Sequence, residues 1–228
     1  MNETSTAQIP VQLLVMDVDS TFINEEVIDL IAAHAGLGDQ VAAITERAMA
    51  GQLDFAASLA ERVALLAGLP ETVLDDVRSQ ITLTPGAAEL VAAVQTGGGQ
   101  VALVSGGFAP IIAPVAARLG ITDVFANHLE VENGTLTGRT AGRVIDPSAK
   151  AEIFADLVTA GGYAREATVA VGDGANDIGM IRAAGLGVAF CAKPALVEAA
   201  DASVTTRDLR KVLDLIAVRE DARSTAGT

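Results

Sequence analysis

Asp17 and Asp19 stand two residues apart, directly behind the apolar run 11–16, in the segment Met16-Asp17-Val18-Asp19-Ser20-Thr21. Two like charges so close are costly unless a divalent cation or a shared proton relieves them. With relief they suit nucleophilic and acid–base work on an anionic substrate. The run before them has the length and composition of a buried parallel strand. Beyond the carboxyl end of such a strand lies the crevice where open α/β sheets bind ligands. Side chains alternate along a strand, so both carboxylates face one way only if the extended geometry continues. By itself such a pair is more often a solvated loop or a helix cap.

Three further segments carry chemistry. The β-branched run 168–171 ends in Gly172-Asp173-Gly174-Ala175-Asn176-Asp177. Its glycines permit a tight turn, and bare carboxylates there suit a hard, oxygen-ligated cation better than a pyrophosphate. An acidic, Asx-rich turn without a ligand fits it equally well. No Gly-Lys-Ser/Thr run occurs, which excludes a Walker-type phosphate loop. The strand-like run 101–104 leads into Ser105-Gly106-Gly107-Phe108 and an apolar helical stretch. A hydroxyl with backbone N–H groups at a strand-to-helix turn cradles phosphate oxygens, although an ordinary glycine turn reads the same way. Lys150 opens a helix expected over 151–158, where a cation opposes the helix dipole, a mild penalty that hints at another task.

These groups need elements to position them. Between the first two motifs, four helices are expected over 24–35, 37–50, 54–67 and 71–81. Asn24 would cap the first, and Gly36, Gly51 and Gly68 would stop the first three. Further on, a helix is expected over 115–119 and a strand over 124–126. A hairpin over 129–137 would turn at Asn133-Gly134, a pair suited to positive φ. Strands are expected over 187–190 and 202–205, a closing helix over 209–218, and a frayed polar tail over 219–228. Strands alternating with helices make the fold class α/β, a doubly wound parallel sheet.

In chain order the four motifs resemble those of the haloacid dehalogenase superfamily, and within it the phosphoserine phosphatase family. Asp17-x-Asp19-x-Thr21 matches the first motif, Ser105 the second, Lys150 the third, and Gly172-Asp173-Gly174 with Asp177 the fourth. Phe190-Cys191-Ala192-Lys193-Pro194 and the surroundings of Glu26, Met49, Phe55 and Arg62 extend the similarity over about 13–216, with Phe22 standing where the family usually has Leu. The resemblance implies a Rossmann-like core of 1–22 and 85–228 carrying an inserted four-helix cap, 23–84, with hinges at 22–24 and 82–86. No separate regulatory domain is expected.

It also implies roles. Asp17 is the expected nucleophile and Asp19 the general acid and base. Mg2+ is expected on the side chains of Asp17 and Asp173 and the backbone carbonyl of Asp19. Ser105, the Gly106 N–H and Lys150 would bind phosphate, with Asn176 and Asp177 orienting groups around them. On the cap, Arg62 would take the carboxylate and Glu26 the ammonium of a zwitterionic substrate, with Met49 and Phe55 as apolar walls. The implied reaction is hydrolysis of phosphoserine to serine and phosphate through an aspartyl-phosphate, the last step of serine biosynthesis. Another small-phosphomonoester phosphatase, a phosphotransferase to an alcohol such as homoserine, and a phospho-accepting regulatory protein are the alternatives.

Composition sets limits. Aromatics are 3% of a chain that is 50% hydrophobic, so aliphatic side chains must build the core. A net charge of −14 argues against nucleic acid and opposes a phosphorylated substrate at long range. Local cations must outweigh that field, so salt is expected to change substrate capture only modestly. No apolar stretch has membrane-spanning length and the first ten residues lack a signal pattern, so the expected location is the cytoplasm, with no membrane partner. Cys191 is the single cysteine and reads as a packed thiol; His34 and His128 are isolated, which argues against zinc. Room is left for a homodimer.

Overall fold

The computed structural model describes residues 11–226. Seven strands form one sheet: β1 (Leu13–Met16), β2 (Gln100–Phe108), β3 (Asp123–Glu132), β4 (Thr135–Ala141), β5 (Thr168–Gly172), β6 (Leu186–Phe190) and β7 (Ala202–Val204). Their order is β4-β3-β2-β1-β5-β6-β7. All neighbours run parallel except β3 and β4, the expected hairpin, where Asn133 and Gly134 take φ of 53° and 75°. The chain reverses direction across the sheet at β1, whose neighbours are β2 and β5, so the carboxyl end of β1 lies at the topological switch point.

Period-two alternation gives the sheet two apolar faces. Leu14, Met16, Val101, Leu103, Val169 and Val171 join one core cluster, while Leu13, Val15, Ala102, Val104 and Ala170 join another. The first face is covered by α5 (Ala87–Thr96), α6 (Ala109–Ala117) and α10 (Arg210–Ala226), the second by α7 (Pro147–Gly161), α8 (Ile178–Ala183) and α9 (Pro194–Val197). This is the doubly wound α/β arrangement.

Four helices follow β1 in the chain: α1 (Val27–His34), α2 (Gly38–Met49), α3 (Phe55–Ala64) and α4 (Val73–Arg78). Val27, Ile31, Leu59, Val63 and Val77 from them share the first core cluster. Where the chain leaves and re-enters the sheet region, Ile23 and Leu83 pair as an antiparallel bridge, Asn24 N–H donates to Thr82 O, and Thr84 N–H donates to Phe22 O. At the opposite end, Gly68 N–H donates to Leu136 O, Leu136 N–H to Leu69 O and Glu71 N–H to Gly134 O, so the helical segment is backbone-bonded to the hairpin.

Local expectations needed correction in five places, one of them the helix expected over 115–119, which is α6 and begins at Ala109. Asn24 does not cap α1; its Nδ2 donates to Thr82 Oγ1 and Leu83 O, and Glu26 occupies the cap position. The strand expected over 101–104 continues as β2 to Phe108, with a register shift against β3 after Val104. Helix α7 begins at Pro147, capped by the Asp146 side chain accepting from Ala149 N–H at 2.8 Å, which puts Lys150 inside its first turn. The closing helix continues to Ala226. Phe22 is fully buried in the first core cluster, so its bulk is a packing matter.

Candidate active site

Asp17 leaves β1 with its N–H on Val171 O at 2.9 Å, so it still follows the sheet, and the residue is 3% exposed. From Val18 to Phe22 the chain loops out in a wide turn, with Ser20 at φ 55°. That turn separates the two carboxylates. Asp17 Oδ1 accepts from Lys150 Nζ at 2.6 Å. Asp19 Oδ2 accepts from Ser105 Oγ at 3.0 Å, and its Oδ1 accepts from Val27 N–H, the first amide of α1, at 2.8 Å. Asp19 therefore sits at the positive end of a helix dipole.

Lys150 is 1% exposed and also donates to Asp177 Oδ1 at 2.7 Å. Burial alone would lower its proton affinity; the charges of Asp17 and Asp177 overcome this and hold it well above the usual lysine value. Asp177 Oδ2 accepts from the N–H groups of Asp173 and Gly174, so both its oxygens are engaged. Gly172 makes that possible, since a Cβ there would lie 2.4 Å from Asp177 Oδ2. Gly107 does the same for Asp19, whose Oδ2 would be 2.6 Å from a Cβ, and its N–H donates to Ser105 Oγ at 2.8 Å.

The carboxylates are poorly compensated. Burial first, then the charge of Asp177, raises Asp17 well above the usual carboxylate range, against the pull of Lys150. Burial and the charge of Glu26 push Asp19 up to about 6. Burial and Asp177 push Asp173 up to about 6. Oxygens of Asp17, Asp173 and Asp177 lie within 4.8 Å of one another. Such an electron-rich oxygen cluster, strained by like charge, fits a small hard cation.

Above these groups opens a cavity of about 600 Å³, lined by Asp17, Asp19, Gly106, Asp173 and Asn176 from the sheet side and by Glu26, Phe55 and Arg62 from the helical side. Arg62 is half-buried, with Nε donating to Ser58 O at 3.2 Å. Burial lowers its proton affinity while the charges of Asp29, Glu26 and Asp19 sustain it. Ser105, Lys150 and Asp177 lie behind the floor, at most 1% exposed. The side chain of Met49 lies outside the described residues. Sequence reasoning missed Asp29 and gave Lys193, noted within the 190–194 segment, no role; both also line the cavity. It also missed Arg207, whose Nη2 donates to Ser20 O at 3.1 Å and Nη1 to Asn24 Oδ1 at 3.3 Å. For Asp29 a signal existed, since it stands one helical turn after Glu26; Arg207 had none.

The buried Asp17 carboxylate, bonded to Lys150, thus shares the site with a second carboxylate, Asp19, of raised proton affinity. The haloacid dehalogenase-like hydrolase family matches residues 14–182. The chain belongs to the haloacid dehalogenase-like hydrolases. This hydrolase is 50% identical over 204 residues to phosphoserine phosphatase of Lactococcus lactis, an alignment covering 90% of this chain and 94% of that one. It is 53% identical over 207 residues to phosphoserine phosphatase SerB2 of Mycobacterium tuberculosis, covering 91% of this chain and 51% of that protein, so it spans about half of that relative's length. A solved phospho-aspartyl intermediate analogue of phosphoserine phosphatase superposes with a TM-score of 0.84 at 45% identity, covering 90% of this hydrolase and 98% of that chain. A substrate-bound phosphoserine phosphatase complex superposes with the same TM-score, identity and coverage of this chain, and 97% of that one.

Proposed function

We propose that this hydrolase converts O-phospho-L-serine to L-serine and phosphate through an aspartyl-phosphate, the last step of serine biosynthesis by the phosphorylated route. One observation carries the reading: the Asp17 carboxylate, anchored by Lys150, faces a cavity whose opposite wall presents Arg62 and Glu26. A fixed cation and a fixed anion beyond the reacting group select a zwitterion, and the guanidinium fork matches a carboxylate.

In the first step an Asp17 oxygen attacks phosphorus and the phosphorus–ester oxygen bond breaks. Asp19, with proton affinity raised toward neutrality, gives its proton to the departing serine oxygen. While Asp19 is protonated, the Ser105 hydroxyl that donates to its Oδ2 is free to donate to a phosphoryl oxygen instead. In the second step water attacks phosphorus, Asp19 takes its proton, and the bond to Asp17 breaks. Lys150, Ser105 and the Gly106 N–H neutralise the phosphoryl oxygens as charge builds on them. Asp177, with both oxygens engaged, holds Lys150 and the Asp173 loop in place. Mg2+ would be held by Asp17, Asp173 and the Asp19 carbonyl, where it supplies charge neutralisation between anionic nucleophile and anionic substrate. Residues 23–84 act as the cap, and its closure excludes water from the site.

Phosphate release from L-phosphoserine, phosphothreonine, phosphoethanolamine and p-nitrophenyl phosphate tests this, with and without magnesium and with Asp17→Asn. Strong preference for phosphoserine, lost without metal and reduced at least ~10³-fold in the variant, is the expected result. Equal activity on every ester would retain the chemistry and remove the roles given to Glu26 and Arg62. No turnover by folded, metal-loaded protein would overturn the assignment.

A further inference from the structure

Lys193 lies in a segment, Phe190-Cys191-Ala192-Lys193-Pro194, to which the mechanism gives no task. Its N–H donates to Asp173 O at 3.0 Å and α9 begins immediately after it, so its backbone is fixed beside the acidic loop. The residue is exposed and lines the cavity. Among the described residues, the basic side chains lining that cavity are Arg62 and Lys193. Arg62 faces Asp29 and Glu26, and Lys150 below the floor is neutralised by Asp17 and Asp177. The ammonium of Lys193 makes no ion pair or hydrogen bond among the described residues. Its field nevertheless reaches Asp173, where it opposes the larger effects of burial and Asp177.

We propose that Lys193 captures the incoming phosphoryl dianion at the cavity mouth and passes it to the deeper cradle of Ser105 and Lys150, an inference that rests on the phosphomonoester reading of the site. The net charge of −14 opposes the approach of such a substrate. An ammonium without an ion-pair partner beside the acidic loop offsets part of that repulsion at the mouth. In a largely aqueous mouth its attraction for a dianion amounts to roughly tenfold in affinity, and it is screened by salt over about 10 Å.

Steady-state kinetics of Lys193→Gln and Lys193→Arg, from about 20 to about 500 mM sodium chloride at fixed magnesium, test the proposal. At low salt, Lys193→Gln should raise KM for phosphoserine and the inhibition constant of inorganic phosphate by about tenfold each, with kcat changed less than about twofold. Its kcat/KM should then climb with salt toward the parent value, because the field left behind is repulsive, while the parent changes little. Lys193→Arg should behave as the parent. A deficit independent of salt, a loss carried by kcat, or no deficit would overturn the proposal. The same series with p-nitrophenyl phosphate separates the two readings: failure on phosphoserine alone sinks the substrate assignment, and a missing salt signature on both sinks Lys193.

Discussion

At the residue scale, the site is organised by unequal burial of like charges. Asp17 and Asp177 share one buried ammonium, so Lys150→Met leaves two uncompensated carboxylates. We expect a loss of about 3–5 kcal/mol in denaturant unfolding, with Lys150→Met/Asp177→Asn recovering part of it. Asp173 answers to pH. Its proton affinity is raised from 3.8 to about 6, so the folded protein binds the extra proton between those values. The stability this contributes is present below pH 3.8 and lost as pH rises through about 6. Metal-free Asp173→Asn should therefore melt about 2–4 °C above the parent at pH 7.5 and level with it near pH 4. Magnesium should reverse that order at pH 7.5, since the variant keeps only a neutral amide oxygen where the parent offers an anionic ligand. Melting curves at both pH values check each sign.

At the element scale, the helical segment is held to the sheet region at two ends. The crossing at Ile23 and Leu83 is one, reinforced by Glu25, whose carboxylate accepts from Thr82 N–H at 3.0 Å and Thr82 Oγ1 at 2.5 Å. The hairpin is the other, and Gly138 permits its close approach: φ is 81° and a Cβ would lie 2.8 Å from Ala67 Cβ. Gly138→Val combines backbone strain with overpacking and should cost about 1–3 kcal/mol. Hydrogen exchange should speed up at the Gly68, Glu71 and Leu136 amides in that variant and leave β1 protected. Equal exchange in parent and variant would show that this contact does not hold the segment.

For the whole molecule, charge and metal act together. Like carboxylates gathered at the switch point are only partly neutralised by Lys150, so a cation bound among them would stabilise the fold. Added magnesium should raise the melting temperature, more at pH 7.5 than at pH 5, because proton and metal compete for the Asp173 oxygen. A shift independent of pH would place the metal elsewhere. Among the described residues no helix is long and apolar enough to cross a membrane.

Much of this was legible in the chain. The buried strands, the Asn133-Gly134 turn and the carboxylates at strand ends follow from side-chain periodicity, turn chemistry and spacing, all local properties. Non-local pairings were not. Asn24 has the composition of a helix cap, yet its amide is taken by Thr82 and Leu83, nearly sixty positions away along the chain. Asp17 and Asp19 are two residues apart, but the turn at Ser20 sends one to Lys150 and the other to Ser105 and the start of α1. Nor does local pattern show that Arg207 closes on Ser20, or that Lys193 is left without a partner at the cavity. Residue types and spacing determined which chemistry was available; the partner of each charge was decided only when the sheet brought distant strand ends together, because burial and charge proximity depend on three-dimensional distance.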